Sequence, residues 1–174
     1  MDIYQKMKEN QAMYKLEYDY DNRIIYKTSN EKKEKMNFEF PSEPIVSPDG
    51  QNTVFIDPLE WECLGSLYVF NNIIGEFTTL IEPENNYIPK YVKWLNHESL
   101  AVIIGYGFGT VSIGGNIYTY NVTDHEKTQI THFDSNVQIT SFDIIDNHKI
   151  KCKGIKYIDD IQNQFIEFEE VVQL

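Results

Sequence analysis

Short runs of β-branched and aromatic residues recur along the chain, and Asn, Asp, Gly or Pro residues separate most of them. Residues 52–57 read NTVFID and residues 66–71 read SLYVFN, which are lengths and compositions typical of β-strands. Helical periodicity is scarce, and only the first dozen residues could form a helix. The pattern predicts an all-β protein built from short antiparallel strands.

Several of these runs are copies of one another. Ser66–Asn71 and Asn116–Asn121 match position by position at a spacing of 50 residues, and each reads apolar, Tyr, β-branched, aromatic, Asn. A fainter match at the same spacing places 144–150 on 94–100, with a polar turn around Asn and His in both. A period of this length predicts a tandem array of one β-sheet unit.

We interpret the unit as a four-stranded antiparallel meander with strands a, b, c and d. The predicted strands are 44–47, 52–57, 66–71 and 76–82 in the first copy, 90–95, 99–105, 116–122 and 127–133 in the second, and 138–145, 148–157 and 164–173 (strands a to c) in the third. The predicted division of a single domain over 1–174 is a polar segment 1–13, leading strands within 14–40 (KLEYDY, RIIYKTS and MNFEF), and repeats at 41–83, 88–133 and 137–174.

One such sheet cannot bury both of its faces, so neighbouring copies must stack on each other. An antiparallel meander puts every b–c turn at the same end of its sheet. We therefore expect a partial or small β-propeller-like stack of about three to four sheets, whose b–c loops share one face. The array could complete a ring by pairing as a dimer, form an open or barrel-like stack, or close as four blades using strands from residues 14–40.

The first repeat resembles a known pattern. Ser47-Pro48-Asp49-Gly50, followed by a β-run and by residues 65–71 (GSLYVFN), looks like the repeat of the TolB-like, WD-repeat-like β-propellers. It also resembles an uncharacterised bacterial family of short propeller-repeat proteins. The Asp-Gly pair supplies the tight a–b turn that this repeat requires. The second copy departs from the pattern with Asn96-His97-Glu98, and typical propellers close with about four to eight blades.

Acidic residues dominate the charge, and they are unevenly placed. The formal net charge is −12, and residues 41–89 contain eight Asp or Glu and no Lys or Arg. Residues 159–174 contain five more acidic residues and no basic ones. Nucleic acid is not expected as a partner, because its binding rests on neutralisation of phosphates by Lys and Arg. The excess suits a cation or a basic protein, although an acidic surface can also serve solubility alone.

The remaining composition favours a cytoplasmic protein. The N-terminal segment is polar, without the apolar core of a signal peptide, and no stretch is apolar enough for a membrane helix. Cys63 and Cys152 lie far apart and outside any CxxC motif. We interpret them as free thiols, with a disulfide as the alternative.

The glycine-rich stretch 105–115 (GYGFGTVSIGG) is the most unusual local motif. A dinucleotide-binding fingerprint and a nucleophile elbow around Ser112 both require glycine at position 110, which is Thr110, and both require a following helix. Two interpretations are left. The stretch is either a glycine-permitted bulge packed under aromatic residues or a ligand-contacting b–c loop that presents Tyr106, Gly107 and Phe108.

The b–c loops of the other repeats are acidic. We predict that they share a ligand-binding face with the glycine-rich loop, because binding residues concentrate on loops held by a rigid scaffold. The candidate residues outside the glycine-rich loop are Asp57, Glu60, Trp61, Glu62, Asp159 and Asp160. Such a face would bind a cation, an amine-bearing ligand or a basic protein. The competing interpretation is a solvated acidic rim without a ligand.

No catalytic residue, metal ligand or cofactor is assigned, because the histidines fit no zinc pattern and the Asp19-Tyr20-Asp21-Asn22 segment lacks the rest of a calcium loop. We expect a non-enzymatic binding or scaffold protein that contacts an unknown protein or small ligand. The alternative is a carboxylate- or metal-dependent hydrolase or lyase that uses the same face. Unpaired edge strands also make a homodimer an expected assembly.

Overall fold

The computed structural model describes residues 14–30, 32–146 and 148–174, and these residues form fourteen strands and no helix. The strands are β1 Lys15–Asp19, β2 Ile24–Ser29, β3 Lys32–Lys35, β4 Ile45–Val46, β5 Asn52–Asp57, β6 Ser66–Asn71, β7 Glu76–Ile81, β8 Tyr87–Trp94, β9 Ser99–Tyr106, β10 Asn116–Asn121, β11 Lys127–Gln129, β12 Val137–Asp146, β13 Lys149–Tyr157 and β14 Phe165–Gln173. The all-β prediction is confirmed. The helix considered for the first dozen residues lies outside the described part.

The strands form four antiparallel meanders, which we name sheet A (β1–β3), sheet B (β4–β7), sheet C (β8–β11) and sheet D (β12–β14). In each sheet the strands pair in chain order. Strands β5 and β6 begin and end at the predicted residues, whereas β8 begins three residues before the predicted start and β11 ends at Gln129. Sheets B, C and D correspond to the three predicted repeats.

Alternating side chains of one strand pack against two different neighbours. On β9, Leu100, Val102 and Ile104 join a core cluster shared by sheets B and C, whereas Ala101 and Ile103 join a second cluster shared by sheets C and D. This is the period of two that a strand imposes when both of its faces are covered. Sheets B, C and D therefore stack in chain order.

An aromatic cluster joins sheet A to sheet B. Phe38 lies between β3 and β4, and its ring centroid is 4.7 Å from that of Phe55, 5.5 Å from that of Tyr68 and 5.4 Å from that of Phe77. Ile25 of β2, also in sheet A, is fully buried. Residues 14–40 thus supply a fourth sheet.

The predicted third leading strand, MNFEF at 36–40, is wrong. These residues form the connection to β4, and the third strand of sheet A is β3 at Lys32–Lys35. The apolar pattern misled the prediction because Phe38 is recruited to the aromatic cluster from a loop. All four residues of β3 are exposed, as is common for an edge strand that is solvated on both faces.

The direction of β1 shows which of the repeat strands a to d are present in sheet A. Its start lies beside the c–d loop of sheet B, where Tyr14 N donates to Asn72 O at 2.9 Å. The turn after it lies beside the b–c loop of sheet B, where Arg23 contacts Glu60 at 2.9 Å. Strands β1, β2 and β3 therefore correspond to b, c and d, whereas β12, β13 and β14 of sheet D correspond to a, b and c.

The described part of the stack is open. Within it, no strand pairing, backbone hydrogen bond or ion pair connects sheet A with sheet D. Both cysteines are free thiols, and burial raises the pKa of Cys152 to about 11. The described part of the chain contains no helix that is long and apolar enough to cross a membrane.

Candidate functional site

In sheets B, C and D, the b–c loop lies against the connection that enters its own sheet. Leu59 N donates to Phe40 O at 2.8 Å in sheet B, and Gly107 N donates to Asn86 O at 2.8 Å in sheet C. In sheet D, the side-chain amide of Gln162 donates to Ser135 O at 3.2 Å. These contacts put the b–c loops and the d–a connections at one end of the stack. We call it the b–c end: loops 20–23, 58–65, 107–115 and 158–164 and connections 36–44, 82–86 and 130–136.

The b–c end is strongly acidic. Its loops and connections contain ten carboxylates and a single Lys or Arg, which is Arg23. The carboxylates belong to Asp21, Glu39, Glu43, Glu60, Glu62, Glu82, Glu84, Asp134, Asp159 and Asp160. Glu60 pairs with Arg23 and Glu84 pairs with Lys127, and the other eight form no ion pair with any described residue. Negative charge therefore accumulates there without local neutralisation.

Exposed apolar side chains concentrate at the same end. Sixteen large apolar or aromatic side chains are exposed among the described residues, and ten of them lie at the b–c end, seven in its loops and connections and three at the strand ends that adjoin them. They are Tyr20, Phe40, Trp61, Leu64, Tyr87, Tyr106, Ile113, Ile158, Ile161 and Phe165. Isolated exposed apolar residues are ordinary on a protein surface, but a concentration of them on one surface is a feature of interaction sites.

Asp57, one of the predicted site residues, lies beneath this surface. It is 7% exposed, and its Oδ1 accepts a hydrogen bond from the backbone N–H of Phe40 at 2.9 Å. Burial desolvates the carboxylate and raises its pKa, which the hydrogen bond from Phe40 opposes. In this position Asp57 holds the connection 36–44 against β5.

The next residues of that loop are exposed. Glu60 accepts hydrogen bonds from Trp61 N at 3.0 Å and from Arg23 Nη1 at 2.9 Å, and these two contacts lower its pKa. The Trp61 side chain is 64% exposed, and Glu62 is exposed with a φ of 55°. The loop therefore presents the Trp61 indole next to Glu62, whose carboxylate has no basic partner among the described residues.

The loop of sheet D has a comparable division of roles. Asp159 accepts hydrogen bonds from Asn163 N at 2.9 Å and from Gln164 N at 3.0 Å, so it shapes the loop. Asp160 is exposed and Ile161 is 78% exposed. The predicted pair of aspartates thus consists of one loop-forming residue and one surface residue.

The glycine-rich stretch joins sheet C to sheet D. A Cβ on Gly105 would lie 1.8 Å from Gly114 O, and a Cβ on Gly114 would lie 2.2 Å from Ile139 O, so neither position can carry a side chain without movement of backbone. Gly115 N donates to Ile139 O at 3.0 Å, and Ile139 N donates to Gly115 O at 3.2 Å. At these positions the glycines serve close packing of backbones.

The aromatic residues of the stretch lie at the surface of the b–c end. The ring of Tyr106 is 5.8 Å from that of Tyr87 and 6.0 Å from that of Phe108, in edge-to-face arrangements. Gly107 donates its N–H to Asn86 O. Tyr87 was not predicted as a site residue, although the topology could have found it, because d–a connections share an end with b–c loops.

A cavity of about 120 Å³ opens beside these rings, between sheets C and D. Its wall includes Tyr87, Tyr106, Phe133, Asp134 and Gln138, together with the backbone of the glycine-rich stretch. Of the predicted site residues, only Tyr106 lines it. Among the described residues, no hydrogen bond or ion pair connects Glu60, Trp61 or Glu62 of sheet B with Asp159 or Asp160 of sheet D.

Lys90 lies near this cavity without lining it. It is the extra residue of a β-bulge between Pro89 and Tyr91, and its Nζ donates to Ser112 O. Burial lowers its pKa to about 8. Within the described ranges, no three His, Cys, Asp or Glu side chains converge as metal ligands.

The fold is similar to solved β-structures. A candidate conserved lipoprotein from Clostridium novyi NT is 19% identical with a TM-score of 0.71, and the match covers 95% of this chain and 99% of that one. The β-propeller domain of the Trilobed protease from Pyrococcus furiosus, described with an open velcro topology, is 16% identical with a TM-score of 0.52. TolB from Acinetobacter baumannii is 14% identical with a TM-score of 0.50.

The coverage differs among these structures. The matches cover 92% and 95% of this chain, but only 50% of the Pyrococcus furiosus domain and 41% of TolB. They support the propeller-like resemblance of the repeat at the level of fold. No curated protein matches the sequence.

A family model described as a domain of unknown function, DUF4652, matches residues 2–172. Since this match spans nearly the whole sequence, the chain belongs to the DUF4652 family.

Proposed function

We propose that the protein is a binding module whose b–c end captures a polypeptide segment carrying both basic and apolar side chains. The observation that supports this most directly is the coincidence of two features at one end of the stack. Ten of the sixteen exposed large apolar side chains lie there, and so do eight carboxylates that form no ion pair among the described residues.

Each of the two features has a simpler explanation, but neither explanation accounts for both features. A solvated rim would account for the acidic residues. It would not account for the exposure of Trp61 and Ile161, because exposing apolar surface to water is unfavourable. An apolar patch alone would favour self-association, which a dense negative charge opposes. Together, the two features suit a partner whose cations meet the carboxylates while its apolar side chains cover the rings.

A basic polypeptide fits this surface better than the other classes of large ligand. Nucleic acid would bring phosphates towards ten carboxylates and one Arg. A polypeptide supplies cationic and apolar groups on one flexible strand, and it can follow a surface that runs across four sheets.

A pair of synthetic peptides tests the proposal. One alternates Lys with Phe, and the other alternates Glu with Phe, and each carries a fluorescent label for anisotropy titration. We expect binding of the Lys peptide only. The affinity should fall as ionic strength rises, because exposed charges are screened within about 10 Å at 0.1 M salt.

Variants at the two ends of the stack provide the control. Trp61→Ala and the double variant Glu62→Lys/Asp160→Lys should each weaken the Lys peptide at least tenfold. Ile74→Ala and Asp49→Lys/Asp124→Lys change similar residues in turns at the opposite end and should leave the affinity within twofold. Equal binding of both peptides, or equal losses at both ends, would contradict the proposal.

A further inference from the structure

The cavity between sheets C and D is formed where three elements meet at the b–c end. Tyr87 is the first residue of β8, Tyr106 is the last residue of β9, and Phe133 and Asp134 lie in the connection from sheet C to sheet D. Three aromatic residues and one Asp therefore line a single space of about 120 Å³.

The rings are held by contacts outside the cavity as well as by each other. Tyr87 and Tyr106 pack edge to face with their centroids 5.8 Å apart. Phe133 packs against Phe168 of β14 at 5.3 Å. Aromatic faces attract cations through their quadrupole, and groups of such rings bind quaternary ammonium ions. Tyr87, Tyr106 and Phe133 are thus the type of side chain that an alkylammonium group prefers.

Asp134 is the one charged residue in the cavity wall. One of its oxygens accepts a hydrogen bond from Asn136 N at 2.9 Å, and it forms no ion pair among the described residues. Nearby polar side chains are already engaged. Gln138 accepts from Gly114 N at 3.2 Å and donates to Ser135 O at 2.7 Å, and Asn116 donates to Phe133 O at 3.0 Å.

The cavity is small and its wall is well supported. Liquid water occupies about 30 Å³ per molecule, so 120 Å³ accommodates a group of about four or five heavy atoms. The paired backbone hydrogen bonds between Gly115 and Ile139 hold the two sheets together beside it. A space formed before binding reduces the entropy that a ligand must lose.

We propose that this cavity binds an alkylammonium group, with a trimethylammonium group as the best fit, by enclosing it between Tyr87, Tyr106 and Phe133 and neutralising it with Asp134. An anion would be repelled by Asp134. This assignment rests on the proposed function in one respect: in a polypeptide partner, the group is a lysine or methylated lysine side chain. A free small amine carries the same chemistry.

Lys90 is the basic residue that must be considered, because its Nζ donates to Ser112 O and Ser112 lines the cavity. If its charge dominated the cavity, the preferred ligand would be an anion. Removal of that charge in Lys90→Met would then weaken binding. For an ammonium ligand, the same variant leaves the affinity unchanged or increases it.

Choline and its neutral isostere 3,3-dimethyl-1-butanol test the assignment, with binding followed by isothermal titration calorimetry. We expect choline to bind and the alcohol to bind at least fivefold more weakly. Asp134→Asn and Tyr106→Leu should each weaken choline at least fivefold, whereas Tyr106→Phe, which retains the ring, should stay within twofold of the unaltered protein.

Asp124→Asn and Tyr26→Leu are the matched controls. Asp124 accepts the N–H of Glu126 at 2.9 Å, two residues on, as Asp134 accepts that of Asn136, but it lies at the opposite end of the stack. Neither control should alter choline affinity. Equal affinity for choline and the alcohol, or a loss in Lys90→Met, would overturn the assignment.

Peptides separate this inference from the proposed function. A Lys–Phe peptide with one trimethyllysine is compared with the same peptide carrying norleucine at that position. Tighter binding of the trimethyllysine peptide that Asp134→Asn abolishes supports both proposals. Choline binding without peptide binding supports the cavity assignment and contradicts the polypeptide partner. If choline does not bind, and if the peptide affinity is the same with or without the trimethyl group and in Asp134→Asn, the cavity assignment alone is contradicted.

Discussion

The two middle sheets and the two terminal sheets solve the same packing problem differently. Sheets B and C have four strands each, and their b strands are buried on both faces, as in β5 with Val54, Phe55 and Ile56 at 0–1% exposure. Sheets A and D have three described strands each. On β13 of sheet D, buried Ile150 and Cys152 alternate with partly exposed lysines. On this strand, one face is apolar and the other carries lysines.

The outer faces of the terminal sheets carry ion pairs. Lys33 of sheet A lies 2.7 Å from Glu17 and 4.5 Å from the ring of Tyr26. On sheet D, Lys153 lies 2.7 Å from Asp143, and Lys151 lies 2.7 Å from Glu169. Exposed pairs of this kind contribute little to stability. Their importance is that they replace the apolar side chains that a further sheet would cover.

This difference concerns the terminal units of a repeat array. A repeat stack needs terminal units with a polar outer face, because an apolar outer face would expose surface that promotes association. The described sheets A and D have this property. The contrast between middle and terminal sheets can be tested by substitution.

The largest expected effect comes from a middle sheet. Phe55→Ala removes a fully buried ring that contacts Phe38, Tyr68 and Phe77, and it should lower the free energy of unfolding by about 3–5 kcal/mol. Tyr26→Ala, on the outer face of sheet A, should change it by about 1 kcal/mol or less. Urea denaturation followed by circular dichroism measures both, and equal losses would contradict the contrast.

The junction between sheets C and D should be the next most sensitive position. Gly114→Ala would place a methyl group 2.2 Å from Ile139 O and should cost about 3 kcal/mol through forced separation of the backbones. Gly109→Ala in the same stretch meets no atom within 4 Å, and only its φ of 83° opposes it, at about 1 kcal/mol. Thermal unfolding distinguishes the two, and a smaller loss for Gly114→Ala would show that the sheets separate easily.

A smaller effect is expected from Asp57 in sheet B, and it should depend on pH. Because burial raises the pKa of Asp57 in the folded protein, its ionised form is disfavoured there. Its protonated form favours folding below the unfolded pKa, and this advantage is lost as the pH rises through the folded pKa. Asp57→Asn retains an acceptor for Phe40 N and should be more stable than the unaltered protein at pH 7.

The control for Asp57 is the pH dependence of the difference. The stability gap between Asp57→Asn and the unaltered protein should narrow as the pH is lowered from 7 to 4, with urea midpoints as the measurement. A gap that is constant over this range would mean that the carboxylate is not disfavoured by burial.

The smallest effect on unfolding, but a clear effect on association, is expected at the outer face of sheet D. The triple variant Lys151→Leu/Lys153→Leu/Glu169→Leu makes this face apolar and should raise the mass measured by light scattering as the protein concentration increases. The matched variant with Gln at the three positions removes the charges but keeps the face polar. It should have the mass of the unaltered protein, and association of both variants would assign the effect to charge alone.

The strands of sheets B and C could be predicted closely because their determinants are local. Runs such as NTVFID and SLYVFN contain the residues that favour strands, and Asn or Asp residues stand at their ends. The offset of 50 residues extends to irregularities, since the bulge at Lys90 of β8 recurs at Thr140 of β12. The strands of sheet A were harder to predict, because β3 is polar throughout, whereas the apolar Phe38 lies outside any strand.

The candidate site was only partly accessible from the sequence. Trp61, Glu62 and Asp160 are exposed at the b–c end because their loops follow b strands of the repeat, and Tyr106 is exposed there as the last residue of a b strand. Asp57 shares that local signature but is buried, and its carboxylate accepts the N–H of Phe40 from a connection elsewhere in the chain. Phe133 and Asp134 carry no motif of their own, and the approach of sheet D to sheet C places them beside Tyr106.

The strand positions of sheets B and C, the repeat and the excess of negative charge follow from the sequence alone, because these features depend on residue type and on spacing along one chain. The packing of the sheets sets where the described stack opens, which carboxylates meet a basic partner, and which residues line the cavity. Those features depend on contacts between residues far apart in the chain, as between Arg23 and Glu60 or between Gly115 and Ile139. Such contacts arise when the apolar faces of separate sheets are buried against one another, and no local pattern specifies them.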